Sequence, residues 1–483
     1  MEHDVVIVGA GVSGLCMGMR LAQEGIRDFV ILERAAELGG TWRDNRYPGC
    51  ACDVKSSLYS FSFEPNPNWD RKFASWDQIL AYLRDCAAKH GLYPHLRFGA
   101  EVRACVWEDG GWTVRTADGG SFRGRKLVFG VGALSNPLVP AIPGLGSFRA
   151  PTFHSARWDT DVPLEGKRVA VIGSGASAVQ FVPEIAGKVS QLDYYQRTPP
   201  WVIPKPDRAR PEWEKALVRA VPLLQRLERW SVYWVAEARV IAFTTRPWLM
   251  GALAWLGRRH IARYIDDPAR RRAVTPAYTP GCKRILMSND YYAALNRQNV
   301  AILTDTIAEV RPDGVLSTDG SFRPADVLIL ATGFRVHELV TPGMVTGREG
   351  QDLATLWRGR GGAEAYLGIT VAGFPNMFML MGPNTGLGHS SMIFMIEAQV
   401  EHTMRAMRTM REHGLRAIDV RPEVQDSFVG RTQEVLRRSV WASGCSSWYL
   451  NAGGKNTVLW PGFTFTYHRL ARAFQLSDYE VVE

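Results

Sequence analysis

The chain has 483 residues, 46% of them apolar, enough to bury a large core and fill two or more domains. Its 57 Lys and Arg against 48 Asp and Glu leave a net charge of +9, but the basic residues are dispersed rather than gathered into a nucleic-acid groove. No run reaches the roughly 18 apolar residues that span a bilayer; the most apolar stretch, Trp230 to Leu256, is broken by Glu237, Arg239, Arg246 and Pro247.

The N-terminus enters a strand with no charged-then-apolar leader, so a soluble, cytoplasmic protein is expected. That strand, Val5-Val6-Ile7-Val8, runs into Gly9-Ala10-Gly11-Val12-Ser13-Gly14 and an apolar helix to Ala22. Gly9, Gly11 and Gly14 suit a tight turn, close approach to a pyrophosphate and close helix–strand packing, with the phosphates at the helix N-terminus. The next strand, Asp28 to Glu33, ends in an acid 24 residues after Gly9, where a ribose hydroxyl is held. The pattern repeats. Strand Arg168 to Ile172 leads to Gly173-Ser174-Gly175-Ala176-Ser177 and a helix, and the following strand, Gln191 to Gln196, ends at Arg197, again 24 residues after its first glycine. A carboxylate accepts from a ribose but repels a 2′-phosphate, whereas an arginine attracts it. The first fold therefore suits FAD and the second NADPH, and two polyanionic dinucleotides account for part of the positive charge.

From Pro211 to about Ala277 the sequence reads as amphipathic helix rich in Trp, Leu and Arg. Trp230, Trp234, Trp248 and Trp255 are read first as core packing, then as a channel wall or a surface against lipid. Asp326 to Phe334 is a buried strand turning at a glycine, and Phe378 to Thr385 is another, leading into a helix around Met392; both later segments are expected to close the first nucleotide fold. The expected fold class is α/β, with two Rossmann-like dinucleotide-binding domains, the second inserted in the first, and a helical subdomain. The expected division is 1–139 and 337–483 for FAD, 140–210 and 278–336 for NADP, and 211–277 for the helices. The seven cysteines, Cys16, Cys50, Cys52, Cys86, Cys105, Cys282 and Cys445, show no metal-ligand or C-x-x-C spacing and are all read as reduced packing thiols.

Four separated motifs carry a resemblance. They are Gly39 to Asp53 (Gly-Gly-Thr-Trp-Arg-Asp-Asn-Arg-Tyr-Pro-Gly-Cys-Ala-Cys-Asp), Gln196-Arg197-Thr198, Gly281-Cys282-Lys283-Arg284, and Asp290-Tyr291-Tyr292. In this order the chain resembles class B flavoprotein monooxygenases of the Baeyer–Villiger type, from the first glycine motif to Ser447-Trp448-Tyr449. The family fingerprint is present as Phe148, His154, Trp158 and Asp159, with Ala150 in place of its glycine. If that position required a positive φ, alanine would cost about 1 kcal/mol. Trp158 favours the Baeyer–Villiger branch, and His154 is read as a hydrogen-bonded linker histidine.

The resemblance implies hydride transfer from NADPH to FAD, reaction with O2 to a flavin C4a-peroxide, and oxygen insertion beside the carbonyl of a small lipophilic ketone to give an ester or lactone. It makes Arg284 the fixed cation and Asp53 its orienting neighbour. Lys283 joins Arg197 and Thr198 on the 2′-phosphate. Gly40, Thr41, Trp42, Tyr59 and Val102 fall with the flavin site, Ser174 and Ser177 with the NADPH turn, and Trp448 with a mobile loop over the nicotinamide. His389, ahead of the Met392 helix, is a further candidate to approach flavin or substrate. Oxidation of nitrogen or sulfur, and a nucleotide-sensing protein without turnover, stand as alternatives. Neither a metal cluster nor a nucleophile elbow is present in the pattern.

Overall fold

The structure is a computed structural model that describes residues 2–482. Two parallel sheets organise it. In the first, Glu2–Val8 lies between Phe29–Leu32 and Ser121–Phe129, all parallel, with Leu96–Arg97 on the outer side and Met377–Met379 beside Ser121–Phe129. An antiparallel pair, Val102–Glu108 and Gly111–Thr116, extends the sheet from Ser121–Phe129. Val5 to Val8 and Phe29 to Leu32 are all buried, as strands covered on both faces must be. The helix Val12–Gln23 covers one face. A Cβ added at Gly14 would sit 1.8 Å from the Gly9 carbonyl oxygen, so only glycine allows this helix to lie so close to the turn.

The second sheet has the order Val300–Leu303, Gln191–Tyr195, Arg168–Ile172, Val327–Leu330, Thr152–His154, every pair parallel. The strand Val327–Leu330 belongs here, inside the 278–336 span expected for the second fold, and does not close the first as the segment's own reading had it. Its hydrogen bonds run to Arg168–Ile172 and Thr152–His154. A short apolar run names a buried strand but not the sheet that buries it. Phe378, by contrast, does pair with the first sheet.

Between Gln191–Tyr195 and Val300–Leu303 come the helices Glu212–Ala220, Pro222–Ala238, Met250–Tyr264 and Pro268–Val274. The reading of their tryptophans as core packing is overturned: Trp230, Trp234, Trp248 and Trp255 are all exposed. The C-terminal part places the helix Met392–Glu412 against Val12–Gln23 and against Thr464–Arg472. Ala150 does not have a positive φ, so the alanine in the fingerprint carries no backbone strain. Among the described residues no helix is long and apolar enough to cross a membrane.

Candidate active site

The first glycine turn is held against the Gly39–Asp53 segment that follows it. The Gly39 amide donates to the Ala10 carbonyl at 2.9 Å, and Gly40 lies against Gly11 as it opens the short helix Thr41–Asp44. Glu33 is buried at the end of its strand. Its carboxylate accepts from the Ala10 amide (2.9 Å), the Ala35 amide (3.0 Å) and the Arg43 guanidinium (2.9 Å). An ionised carboxylate offers about four acceptor positions, so one stays available to a ribose hydroxyl. The bare backbone of Gly9, Gly11 and Gly40 and this oriented acid fit an adenine dinucleotide. Val102 starts its strand two residues beyond Ala100, whose amide donates to the Glu33 carbonyl, which puts it at the same end of the sheet. Trp42 is buried and donates through Nε1 to the Tyr59 hydroxyl at 3.1 Å, the rings meeting edge to face.

The second turn begins at Gly173, where a Cβ would meet the Ala331 carbonyl oxygen at 2.3 Å. Ser174 Oγ donates to the Thr198 carbonyl at 2.9 Å, tying the turn to the strand end beyond Arg197. A Cβ on Gly175 would meet nothing within 4 Å, so the loop shows bare backbone to open space at the start of the helix Ala176–Ile185. Next to it lies a cavity of about 720 Å³ lined by Arg197, Thr198, Arg272, Tyr278, Lys283 and Cys445 among others. Lys283 Nζ rests 5.1 Å from the centre of the Tyr278 ring, and burial, then the Arg197 charge, pulls its pKa below the ordinary lysine range. Among the described residues none of these three cations has a carboxylate partner. Three uncompensated cations around one cavity fit a phosphorylated ligand.

Arg284 is half-buried and does not line that cavity, although Lys283 does. The chain bends at Cys282 and Lys283 before it enters the strand Leu286–Met287, so the two adjacent cations need not share an environment. The Arg284 charge instead opposes the burial that raises the pKa of Cys52 and of Tyr449, each to about 12, and acts on Tyr59 in the same sense. The guanidinium is therefore within electrostatic range of Cys52, Tyr59 and Tyr449 of the C-terminal part. Asp53 does not pair with it. Asp53 Oδ1 lies 3.6 Å from Lys205 Nζ and accepts from Gln180 Nε2 at 3.3 Å. Lys205, in the strand connection after Val202–Ile203, also donates to the Cys52 carbonyl at 3.4 Å and so claims the acid first.

The cysteine reading also needs correction. Cys282 and Cys445 form a disulfide, while the other five are buried and free. It fastens the residue before Lys283-Arg284 to the loop that carries Trp448. Trp448 is exposed and meets Tyr449 at a tilt, the ring centres 4.4 Å apart. Beside this loop Phe243, Met250, Trp441 and Tyr449 form an apolar cluster around Gly281 and Gly388. His389 is fully buried 3.5 Å from Glu237, whose carboxylate accepts from the Thr464 amide (2.8 Å) and hydroxyl (2.7 Å). His154 ends the edge strand Thr152–His154 of the second sheet, accepts from the Ala156 amide through Nδ1 at 3.1 Å and packs against Phe334.

Three participants were not singled out from sequence. Gln180 joins the two folds: its side chain accepts from Tyr47 (3.0 Å) and donates to the Ala51 carbonyl (2.9 Å) and to Asp53. Lys205 follows the recognised Gln-Arg-Thr stretch by seven residues, within reach of a reading that continued past it. Arg272 stands in a run of three arginines. Arg270 and Arg271 are bound to the carbonyls of Leu295, Arg297 and Ile265, which leaves Arg272 to the cavity. Met381 (φ 59°) and Asn384 (φ 56°) hold left-handed backbone without being glycine, between the buried strand Met377–Met379 and the helix Met392–Glu412. Asn384 is kept there by donating to the Asn456 and Leu459 carbonyls.

A family model described as pyridine nucleotide-disulphide oxidoreductase matches residues 6–222. A Baeyer–Villiger monooxygenase of Pseudomonas aeruginosa is 48% identical over 481 residues, covering 99% of this chain and 91% of that protein. One of Streptomyces coelicolor is 46% identical, covering 100% and 93%. Among solved structures, cyclohexanone monooxygenase from Rhodococcus sp. Phi1 bound to NADP+ superposes with a TM-score of 0.89 at 28% identity, covering 100% of this chain and 99% of that one.

Proposed function

The chain belongs to the Baeyer–Villiger monooxygenase family and is a flavin-dependent monooxygenase, and from that premise we propose that it uses FAD and NADPH to insert one oxygen of O2 beside the carbonyl of a lipophilic ketone, giving an ester or lactone. The observation that carries the NADPH half of the proposal is the cavity with Arg197, Arg272 and Lys283 unpaired about it. A neutral or monoanionic ligand would leave most of that charge uncompensated. Bound in the first fold, the flavin supplies hydride acceptance and oxygen activation. The protein's own part is electrostatic and steric. Glu33 orients a ribose, Arg197, Thr198 and Lys283 take the 2′-phosphate, and Trp42 and Tyr59 wall the flavin side. Arg284 provides a cation that cannot give up its proton, set where negative charge develops on the carbonyl oxygen. Phe243, Trp441 and Tyr449 keep water from that charge, which strengthens every field acting on it. Asp53, held by Lys205 and Gln180, positions the Cys50–Asp53 turn beneath this space.

Supplying purified enzyme with FAD, NADPH and a panel of ketones and sulfides under 18O2 tests the reading. Esters or lactones carrying one labelled oxygen are expected. A product set of sulfoxides or hydroxylamines with no ester would defeat it.

A further inference from the structure

Five of the sixteen tryptophans lie between residues 213 and 255 with their rings in solvent: Trp213 is 68% exposed, Trp230 63%, Trp234 44%, Trp248 73% and Trp255 60%. They do not stand singly. On the helix Pro222–Ala238, Leu223, Leu227, Trp230 and Trp234 recur at spacings of four, three and four, which aligns them on one outward face. Trp230 meets Trp234 edge to face at 6.2 Å, and Trp234 meets the exposed Phe465 of the helix Thr464–Arg472 at 5.9 Å. Trp248, in the turn Pro247–Leu249, and Trp255, on the helix Met250–Tyr264, are exposed in the same way. A soluble protein rarely leaves such a contiguous apolar surface uncovered unless something docks on it.

The charges around this face identify what docks. Residues 211–265 hold nine Lys and Arg and four acids. All four acids are engaged. Glu212 pairs with Arg219, Glu214 with Arg208, Glu228 with Lys72 and Arg210, and Glu237 with Thr464. Arg226, one turn from Trp230, and Arg246, two residues before Trp248, are exposed and have no side-chain partner among the described residues. Arg259 lies over the Trp255 ring at 5.4 Å. A second copy of the chain docked face to face would bring the same unpaired arginines from both copies into one patch with no free acid to meet them, because a two-fold contact is made by the same patch on each copy. Tryptophan prefers the boundary between water and acyl chains, and arginine prefers anionic headgroups.

We propose that the face formed by Trp213, Leu223, Leu227, Trp230, Trp234, Trp248 and Trp255, with Arg226 and Arg246 at its edge, seats the enzyme on an anionic lipid surface. The helices lie in the interfacial plane and do not cross it. The proposal rests on exposure and charge alone and does not depend on which substrate is oxygenated.

Full-length enzyme is sedimented with phosphatidylcholine vesicles, with and without phosphatidylglycerol as a minority component, while its tryptophan emission is recorded. Binding to the anionic vesicles with a blue-shifted emission, weakened by salt, is expected. Trp230→Ala with Trp248→Ala should weaken it on the order of tenfold or more. Each of Arg226→Ala and Arg246→Ala should weaken it roughly fivefold. All four side chains are solvent-exposed and none is placed in the catalytic machinery, so NADPH oxidation by the variants reports that they remain folded. Equal binding of wild type and tryptophan variants, or no binding to either vesicle, overturns the proposal. So does a concentration-dependent dimer in vesicle-free buffer that the tryptophan substitutions dissolve, since that face would then be a contact between copies.

Discussion

Replacing Arg284 by alanine removes one positive charge and little else, because the side chain is half-buried and no carboxylate neutralises it among the described residues. The magnitude follows from that setting. A unit charge about 4 Å from a developing oxyanion contributes roughly 4 kcal/mol at an effective dielectric constant near 20, the value suited to a partly buried site. At 1.36 kcal/mol per decade this is about a thousandfold in rate, at the upper end of losses measured when one oxyanion donor is removed. Lysine at the same position keeps the charge but loses the planar fork, and should recover only part of the rate. Two readouts separate the roles. Stopped-flow bleaching of the flavin by NADPH should stay within a few-fold of wild type, since Lys283 and Arg197 are untouched, whereas ester formation measured by chromatography should fall by two to three decades. An alanine variant that forms ester at the wild-type rate refutes the assignment. A variant that loses flavin reduction to the same degree would make Arg284 a nucleotide ligand instead. Asp53→Ala should not reproduce the alanine result, because Asp53 meets Lys205 and not Arg284.

Arg197→Ala should raise the KM for NADPH by roughly tenfold to a hundredfold and leave that for NADH unchanged, as expected for the loss of a charge-assisted phosphate contact; unchanged cofactor preference would remove Arg197 from the phosphate site. Since burial and Arg197 hold the Lys283 pKa low, the wild-type KM for NADPH should climb with alkaline pH earlier than a free lysine would dictate, and Lys283→Arg should flatten that climb. Burial raises the Asp419 pKa to about 7, against the Gly373 amide that donates to it. A folded pKa above the unfolded one means that this stability is complete below about pH 4 and lost as pH rises through 7. Asp419→Asn should therefore raise stability at pH 8 and not at pH 4, by up to about 4 kcal/mol on linkage, read as a higher Tm at pH 8 only; equal shifts at both would refute it. Cys445→Ser should release the loop before Trp448 and lower stability by about 2–4 kcal/mol, with faster amide exchange confined to residues 443–450. Unchanged exchange there would show that the loop is held by packing alone.

Both nucleotide folds were legible because each announces itself several times over: a buried strand, glycines at fixed offsets, an apolar helix and a charged strand end 24 residues on. Local chemistry dictates each of those features. What the sequence left open is set by distant partners. Val327–Leu330 has the composition of any doubly covered strand, and only its neighbours Val169 and Phe153 decide its sheet. Cys282 and Cys445 are 163 residues apart, so no spacing rule joins them. Asp53 was matched with the arginine that the motif suggested, yet Lys205, in a connection with no motif of its own, stands nearer. The tryptophan stripe was visible as a helical period, but periodicity gives an apolar face without saying whether protein or solvent lies opposite it.

The position of the disulfide ties these corrections together. Lys283 and Arg284 are adjacent, yet the first lines the nucleotide cavity and the second stands near Tyr59 and Tyr449. Such a division is useful only if the short segment between the cavity and the apolar cluster is held in place, since a shift of one residue would move both cations away from their settings. Cys282 supplies a covalent anchor at the residue before them, and two residues after them Leu286 is held by β-pairing with Val202. The same disulfide carries Cys445 to the cavity wall, so the loop bearing Trp448 is placed by the segment that it would cover. On the proposed function, then, occupancy of the phosphate site and closure of the loop act on the one short segment from Cys282 to Leu286, and a perturbation at either end should be felt at Arg284.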